Sequence, residues 1–166
     1  DRSCCGILIE TIQRIKDSPH ELNFVFSTQE EVGTRGVTTA AYSLEVDLGI
    51  ALDVTPVGNL NGVKLQVKLG AGPAIKVRDV GYLADKKVVD WMVNGAQALQ
   101  LPYQMEVLEV GSTDARVMQV SKDGMLSGAL SLPCRYVHSP SEMIDMQDYE
   151  QSIKLLSALL SQPITF

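Results

Sequence analysis

Apolar runs and amphipathic segments alternate along this chain, and the alternation predicts strands that are followed by helices. Nearly continuous apolar runs predict buried strands over Leu22–Ser27, Leu48–Val54, Ala74–Val77 and Leu126–Leu132. A run with alternating polar residues predicts a half-buried strand over Tyr103–Val110. Apolar residues at helical spacing predict helices over Cys5–Ile15, Arg35–Ser43, Asp85–Leu99 and Asp145–Leu160. The order indicates a three-layer α/β sandwich, in which helices cover both faces of a mixed, largely parallel sheet.

Two segments between these elements are open to more than one interpretation. The stretch from Thr55 to Lys68 contains glycines and is typical of either a loop or an extra hairpin. The stretch from Val110 to Ala115 places small residues before a helix N-cap. We favour that capping role over the alternative, in which its backbone N–H groups face a substrate.

Length and charge narrow the classes of function. A chain of 166 residues is long enough for one domain with its own core. Its net charge of −6 disfavours nucleic acid and anionic membranes as partners. Three cysteines, two of them adjacent, disfavour a disulfide framework and indicate a reducing compartment. The chain begins at Asp1 without a Met and runs directly into a helical pattern, so we expect that a preceding segment is missing.

The first candidate for chemistry is the pair of carboxylates Glu30 and Glu31, which follows the predicted strand through Phe26. Open α/β sheets bind ligands at the carboxyl ends of their strands. Adjacent carboxylates point in different directions, so one can hold a metal while the other faces a water molecule. The alternative is a solvated acidic turn that opens a helix.

Asp53 and His138 are the other two candidates. Asp53 lies within an apolar strand, where an ionised carboxylate requires a cation, although a turn-forming role is the alternative. His138 follows the strand that ends near Pro133, and imidazole is a common zinc ligand, although a structural histidine is the alternative. Together the candidates supply the oxygen and nitrogen ligands that a hydrolytic zinc site needs.

Five phrases of the sequence, in this order, resemble one known family. They are Thr28–Gly36 (TQEEVGTRG), Ala51–Pro56 (ALDVTP), Gly72–Ile75 (GPAI), Gly111–Ala115 (GSTDA) and Arg135–Pro140 (RYVHSP). The family comprises cytosolic metallo-aminopeptidases known for tetrahedral dodecamers, including glutamyl and deblocking aminopeptidases and proteins labelled endoglucanase. The resemblance implies a zinc-peptidase-like fold, peptide substrates and, for the full-length protein, a homo-oligomer.

The resemblance also implies a role for each candidate residue. Glu30 is the implied general base, and Glu31 and His138 are the implied ligands of one metal ion. Asp53 is the implied ligand of a second ion, and the two divalent ions, zinc or cobalt, would activate a water that releases the N-terminal residue of a peptide.

Departures from the family pattern set further expectations. The bridging carboxylate of the family would lie just before Asp1, and a histidine ligand and an inserted dimerisation domain would lie upstream. We therefore expect residues 1–166 to be the C-terminal part of a catalytic domain that is inactive alone. Ser112 replaces a glycine of the family loop. The alternatives are a glycoside hydrolase, which the 5% aromatic content disfavours, and a non-catalytic assembly subunit.

Overall fold

A mixed sheet forms the centre of the molecule, which we describe from a computed structural model covering residues 1–60 and 63–166. Its strands are β1 (Leu48–Pro56), β4 (Ala74–Arg78), β5 (Gln104–Val107), β6 (Leu126–Arg135) and β7 (Met143–Ile144). The strand order is β1-β6-β4-β5, and β7 pairs with the end of β6. A second, small sheet pairs β2 (Asn59–Leu60) with β3 (Val63–Lys64). The stretch from Thr55 to Lys68 therefore contains more than a loop, while its residues 61 and 62 lie outside the described residues.

The sheet is mixed because its two parallel pairs run in opposite directions. β1 and β6 are parallel from Leu48 and Leu126 to Pro56 and Cys134. β4 and β5 are also parallel, while β4 is antiparallel to β6. β1 lies at one edge of the sheet, and in the described part of the chain it pairs with β6 alone. The predicted class, a mixed α/β sheet, is confirmed.

Five helices cover the sheet in the described part of the chain. They are α1 (Arg2–Arg14), α2 (Arg35–Ser43), α3 (Lys86–Ala98), α4 (Ala115–Met118) and α5 (Met146–Leu160). Asp85 caps α3 as predicted, because its side chain accepts a hydrogen bond from the backbone of Lys87. Among these helices, none has the length and apolar character that crossing a membrane requires.

Alternation along the strands divides the helices between the two faces of the sheet. Leu130 packs with buried residues of α3 and α5, and Leu132 packs with buried residues of α1 and α5. Ala51 and Ala129 face the other way and pack with residues of α2 and α4. Asp53 has the same parity as Ala51, so its side chain belongs to the α2–α4 face.

The predicted strand over Leu22–Ser27 is wrong. This segment has no regular secondary structure, and both Val25 and Phe26 are exposed. A strand needs a hydrogen-bonded neighbour, and within the described residues the backbone of this segment has none. The predicted strand over Tyr103–Val110 is shorter than expected, since β5 ends at Val107.

Candidate metal centre

Glu30 and Glu31 lie in a tight turn that leads into α2. The backbone N–H of Thr34 donates to the carbonyl of Glu30 at 2.9 Å, and that of Gly36 donates to the carbonyl of Thr28 at 2.9 Å. The backbone before the turn is therefore bound to the first turn of α2. These contacts fix the positions from which the side chains of Glu30 and Glu31 project from the backbone.

His138 lies in the turn after β6 and meets Glu31 across 107 positions of sequence. Its Nε2 atom is 3.1 Å from Oε1 of Glu31. Its backbone N–H donates to Oε1 of Glu142 at 2.8 Å, which holds the turn in place. The side chains of His138 and Glu31 are 73% and 71% exposed, so this side of the site is open to solvent in the chain described here.

Left-handed backbone conformations concentrate around these two turns. Six non-glycine residues have positive φ in the described part of the chain, and four of them, Gln29, Thr34, Tyr136 and His138, flank or belong to the candidate site. Such conformations cost about 1–3 kcal/mol each and cluster at functional sites. The strain supports the view that these turns are shaped for a ligand.

Asp53 lies in the second half of β1, and its Oδ1 accepts a hydrogen bond from the backbone of Val54 at 2.8 Å. Burial raises the pKa of Asp53 to about 7, and the bond from Val54 only partly opposes that shift. The carboxylates of Glu30 and Asp114 raise this pKa further, while Lys76 lowers it. Asp53 is therefore a partly buried carboxyl group within electrostatic reach of Glu30, but it does not hydrogen-bond to Glu31 or His138.

Asp114 belongs to the same group of carboxylates, and the sequence did not single it out. The predicted N-cap lies in this segment, since Asp114 stands at the N-cap position of α4, but its side chain makes no capping hydrogen bond. Instead its Oδ2 accepts a hydrogen bond from Oγ of Ser27 at 2.6 Å, and its buried Oδ1 has no partner. An aspartate at an N-cap position normally caps its helix, and only the fold shows that the charge of Asp114 acts on Glu30.

Repulsion between these carboxylates acts on Glu30. Burial raises the pKa of Glu30, and the neighbouring Glu31 and Asp114 carboxylates raise it further. Arg116 and His138 oppose the shift. A carboxylate with a raised pKa is a better proton acceptor near neutral pH than an ordinary glutamate.

The Glu31 and His138 side chains fit one metal ion. Two atoms bound tetrahedrally to zinc, each at about 2.0–2.1 Å, lie about 3.3 Å apart, and the two side chains approach to 3.1 Å. Across residues 1–60 and 63–166, however, no three His, Cys, Asp or Glu side chains are close enough to hold one ion. The donor types suit zinc or cobalt, but the described residues supply an incomplete ligand set.

Comparison with known proteins identifies the family. A model of the M42 glutamyl aminopeptidases matches residues 1–155. The chain belongs to the M42 peptidase family. A protein of Acetivibrio thermocellus is 41% identical over 157 residues, which is 94% of this chain and 48% of that protein. The lysyl aminopeptidase of Pyrococcus furiosus is 35% identical over 164 residues, which is 98% of this chain and 46% of the enzyme.

Solved M42-like structures share the fold. The aminopeptidase of Desulfurococcus kamchatkensis has a TM-score of 0.93 at 33% identity, covering 99% of this chain and 48% of that one. The TET1 peptidase of Pyrococcus horikoshii, described as forming a tetrahedron or a large octahedral shell, has a TM-score of 0.80 at 30% identity, covering 98% and 48%. A Thermotoga maritima structure described as an endoglucanase has a TM-score of 0.75 at 28% identity. This chain thus spans about half the length of the relatives that it matches.

The close approach of α2 to Thr28 gives a first testable prediction. A Cβ atom on Gly36 would lie 2.5 Å from both the backbone nitrogen and the carbonyl oxygen of Thr28. Gly36→Ala must therefore displace the segment that carries Glu30 and Glu31. We expect cobalt binding by the full-length protein to weaken about tenfold, whereas the control Ser43→Ala at the end of α2 leaves it unchanged. Equal titrations for both variants would contradict this placement of the turn.

Proposed function

We propose that the full-length protein is a metal-dependent aminopeptidase that releases N-terminal residues from peptides. Membership of the M42 family supports the hydrolase class and a general dependence on metal. Residues 1–166 contribute Glu30, Glu31, Asp53 and His138 to its active site. The TET1 peptidase and its assembly support the further proposal that the full-length protein forms a homo-oligomer.

The contact between Glu31 and His138 is the observation that carries this proposal. Two exposed side chains 107 positions apart are held at 3.1 Å, although neither is part of an apolar core that would bring them together. An exposed pair of this kind contributes little to stability. The positive φ of His138 adds a conformational cost of about 1–3 kcal/mol. A shared ligand accounts for both features.

The surroundings of Glu30 and Asp53 support the roles that we propose for them. Glu30 stands beside the Glu31–His138 pair and accepts a proton from the attacking water. Asp53 is the ligand for a second ion, whose charge would compensate for burial of this carboxylate. When bound, the metal ions supply Lewis-acid polarisation of the peptide carbonyl and lower the pKa of water.

The incomplete ligand set leads to a further part of the proposal. Since the described residues hold no group of three ligands, we infer that residues 1–166 alone do not form a stable two-metal centre. Turnover requires ligands from the remainder of the full-length protein. We expect the isolated chain to be inactive on aminoacyl chromogenic substrates, even with added zinc or cobalt.

The experiment that tests the function uses the full-length protein and the variant His138→Ala. We expect the wild-type protein to cleave an aminoacyl chromogenic substrate, to lose this activity in EDTA and to regain it with zinc or cobalt. His138→Ala removes one of two ligands from the same ion, so we expect its metal affinity to fall at least about tenfold, with activity falling in parallel. The control His20→Ala changes the other histidine, which contacts the carbonyl of Gln162, and leaves both measurements unchanged.

Three outcomes would contradict this function. Activity that survives EDTA would exclude a metal peptidase. Cleavage of a glycan, also insensitive to EDTA, would favour a glycoside hydrolase with paired carboxylates. A full-length protein that binds metal but cleaves neither substrate would favour the non-catalytic assembly subunit.

A further inference from the structure

A buried ion pair joins β4 to β5 on the face of the sheet that carries Asp53. Nζ of Lys76 lies 2.7 Å from Oε2 of Glu106, and the two side chains are 0% and 2% exposed. Among the described residues, neither atom has a polar partner other than the opposite charge. Burying two charges costs several kcal/mol per ion by order of magnitude, and apolar residues often replace such pairs without loss of stability. A gain in stability is therefore a weak explanation for this pair.

The second carboxylate oxygen of Glu106 extends the contact to β1. Oγ1 of Thr55, a fully buried residue, donates a hydrogen bond to Oε1 of Glu106. Two strands, β6 and β4, separate β1 from β5 in the sheet. The link from Thr55 through Glu106 to Lys76 thus crosses the sheet and holds the edge strand β1 by a side chain.

Thr55 lies two positions after Asp53 on β1, so the two side chains leave the strand on the same face. The register with β6 places Asp53 opposite Ser131, and the hydrogen bond from Thr55 to Glu106 adds a side-chain contact that ties the same end of β1 to β5. Lys76, the cation of this link, is also the cation whose charge acts on the Asp53 carboxylate.

We propose that Lys76, Glu106 and Thr55 are positioning residues that hold Asp53 in place for its metal ion. This inference rests on the proposed function, because it assigns Asp53 to a metal. Groups that orient a metal ligand commonly change metal affinity by about 10–100-fold when they are removed. A link that served the fold alone would change stability and leave metal binding as it was.

The test compares Thr55→Val, which removes the hydroxyl group, with Thr55→Ser, which keeps it. Cobalt titrations of the full-length protein are measured beside the melting temperature of the metal-free protein. We expect Thr55→Val to weaken one of two cobalt-binding steps about tenfold or more and to leave the step at Glu31 and His138 unchanged. We expect Thr55→Ser to restore wild-type binding at both steps.

The remaining outcomes of the cobalt titrations and melting measurements distinguish a positioning role from a purely structural one. If Thr55→Val lowers only the melting temperature and leaves both cobalt steps unchanged, the link is structural and the inference is wrong. If Thr55→Val does not fold, the double variant Lys76→Met/Glu106→Gln decides on the same readout, with several-fold weaker binding expected and wild-type binding overturning the inference. A wild-type protein that binds no cobalt would overturn the proposed function as well.

Discussion

Replacing Glu30 by glutamine in the full-length protein is expected to lower kcat by about two to four orders of magnitude. Glutamine keeps the size and the hydrogen-bonding oxygen of the side chain but cannot accept a proton from water. Burial and the carboxylates of Glu31 and Asp114 raise the pKa of Glu30, which suits a proton acceptor. Because Glu30 is not a proposed ligand, we expect the metal content of Glu30→Gln to equal that of the wild type.

The control for this experiment is Glu45→Gln. Glu45 is an exposed glutamate whose carboxylate contacts Lys122, away from the candidate site. We expect Glu45→Gln to retain wild-type kcat and KM. A Glu30→Gln variant that loses its metal together with its activity would make Glu30 a ligand and would overturn its assignment as the base.

The second large effect concerns the stability of the full-length protein, and we expect Lys76→Met to lower its free energy of unfolding by about 3–5 kcal/mol. The substitution leaves the Glu106 carboxylate buried without its cation. The hydroxyl group of Thr55 remains as its partner, and one neutral donor does not replace a charge. Urea unfolding of the metal-free protein, monitored by circular dichroism, measures the loss.

Two further variants show whether the loss of stability comes from the unpaired Glu106 carboxylate. Lys76→Met/Glu106→Gln removes both charges, so we expect it to recover most of the lost stability. Lys154→Met breaks a contact to Glu150 at a position that is 54% exposed, and we expect a change of about 1 kcal/mol or less. If Lys76→Met unfolds at the same urea concentration as Lys154→Met, burial of the Glu106 carboxylate does not depend on the charge of Lys76.

Helix boundaries were the part of the fold that the sequence predicted best. The helix predicted over Arg35–Ser43 has those bounds, and Asp85 and Asp145 are the N-caps of α3 and α5. Helical spacing and capping are local properties, so a single segment contains the information. The apolar segment Leu22–Ser27 was predicted as a strand because it resembles one locally, but pairing depends on a distant neighbour that no local pattern reveals.

The residues of the candidate site also divide into those that a local sequence pattern reveals and those that only the fold reveals. The sequence reveals four candidates because charged or imidazole side chains beside apolar runs are unusual: Glu30, Glu31, Asp53 and His138. The roles of these four residues stay predictions. Asp114 and the pair of Lys76 and Glu106 were not found. Lys76 lies in a segment predicted as a buried strand and Glu106 in one predicted as half-buried, and the pairing of their charges depends on how α2 and α4 cover that face. Tertiary packing, which the local pattern does not contain, decided these positions.

The position of β1 at the edge of the sheet affects how residues 1–166 behave in solution without the rest of the protein. Nine residues of β1 present one row of backbone N–H and C=O groups to the side away from β6, and no other strand in residues 1–60 and 63–166 pairs with that row. Such a row is a template onto which a strand from another molecule can add. We therefore expect residues 1–166 alone to aggregate through backbone pairing as their concentration rises, which light scattering at increasing concentration measures.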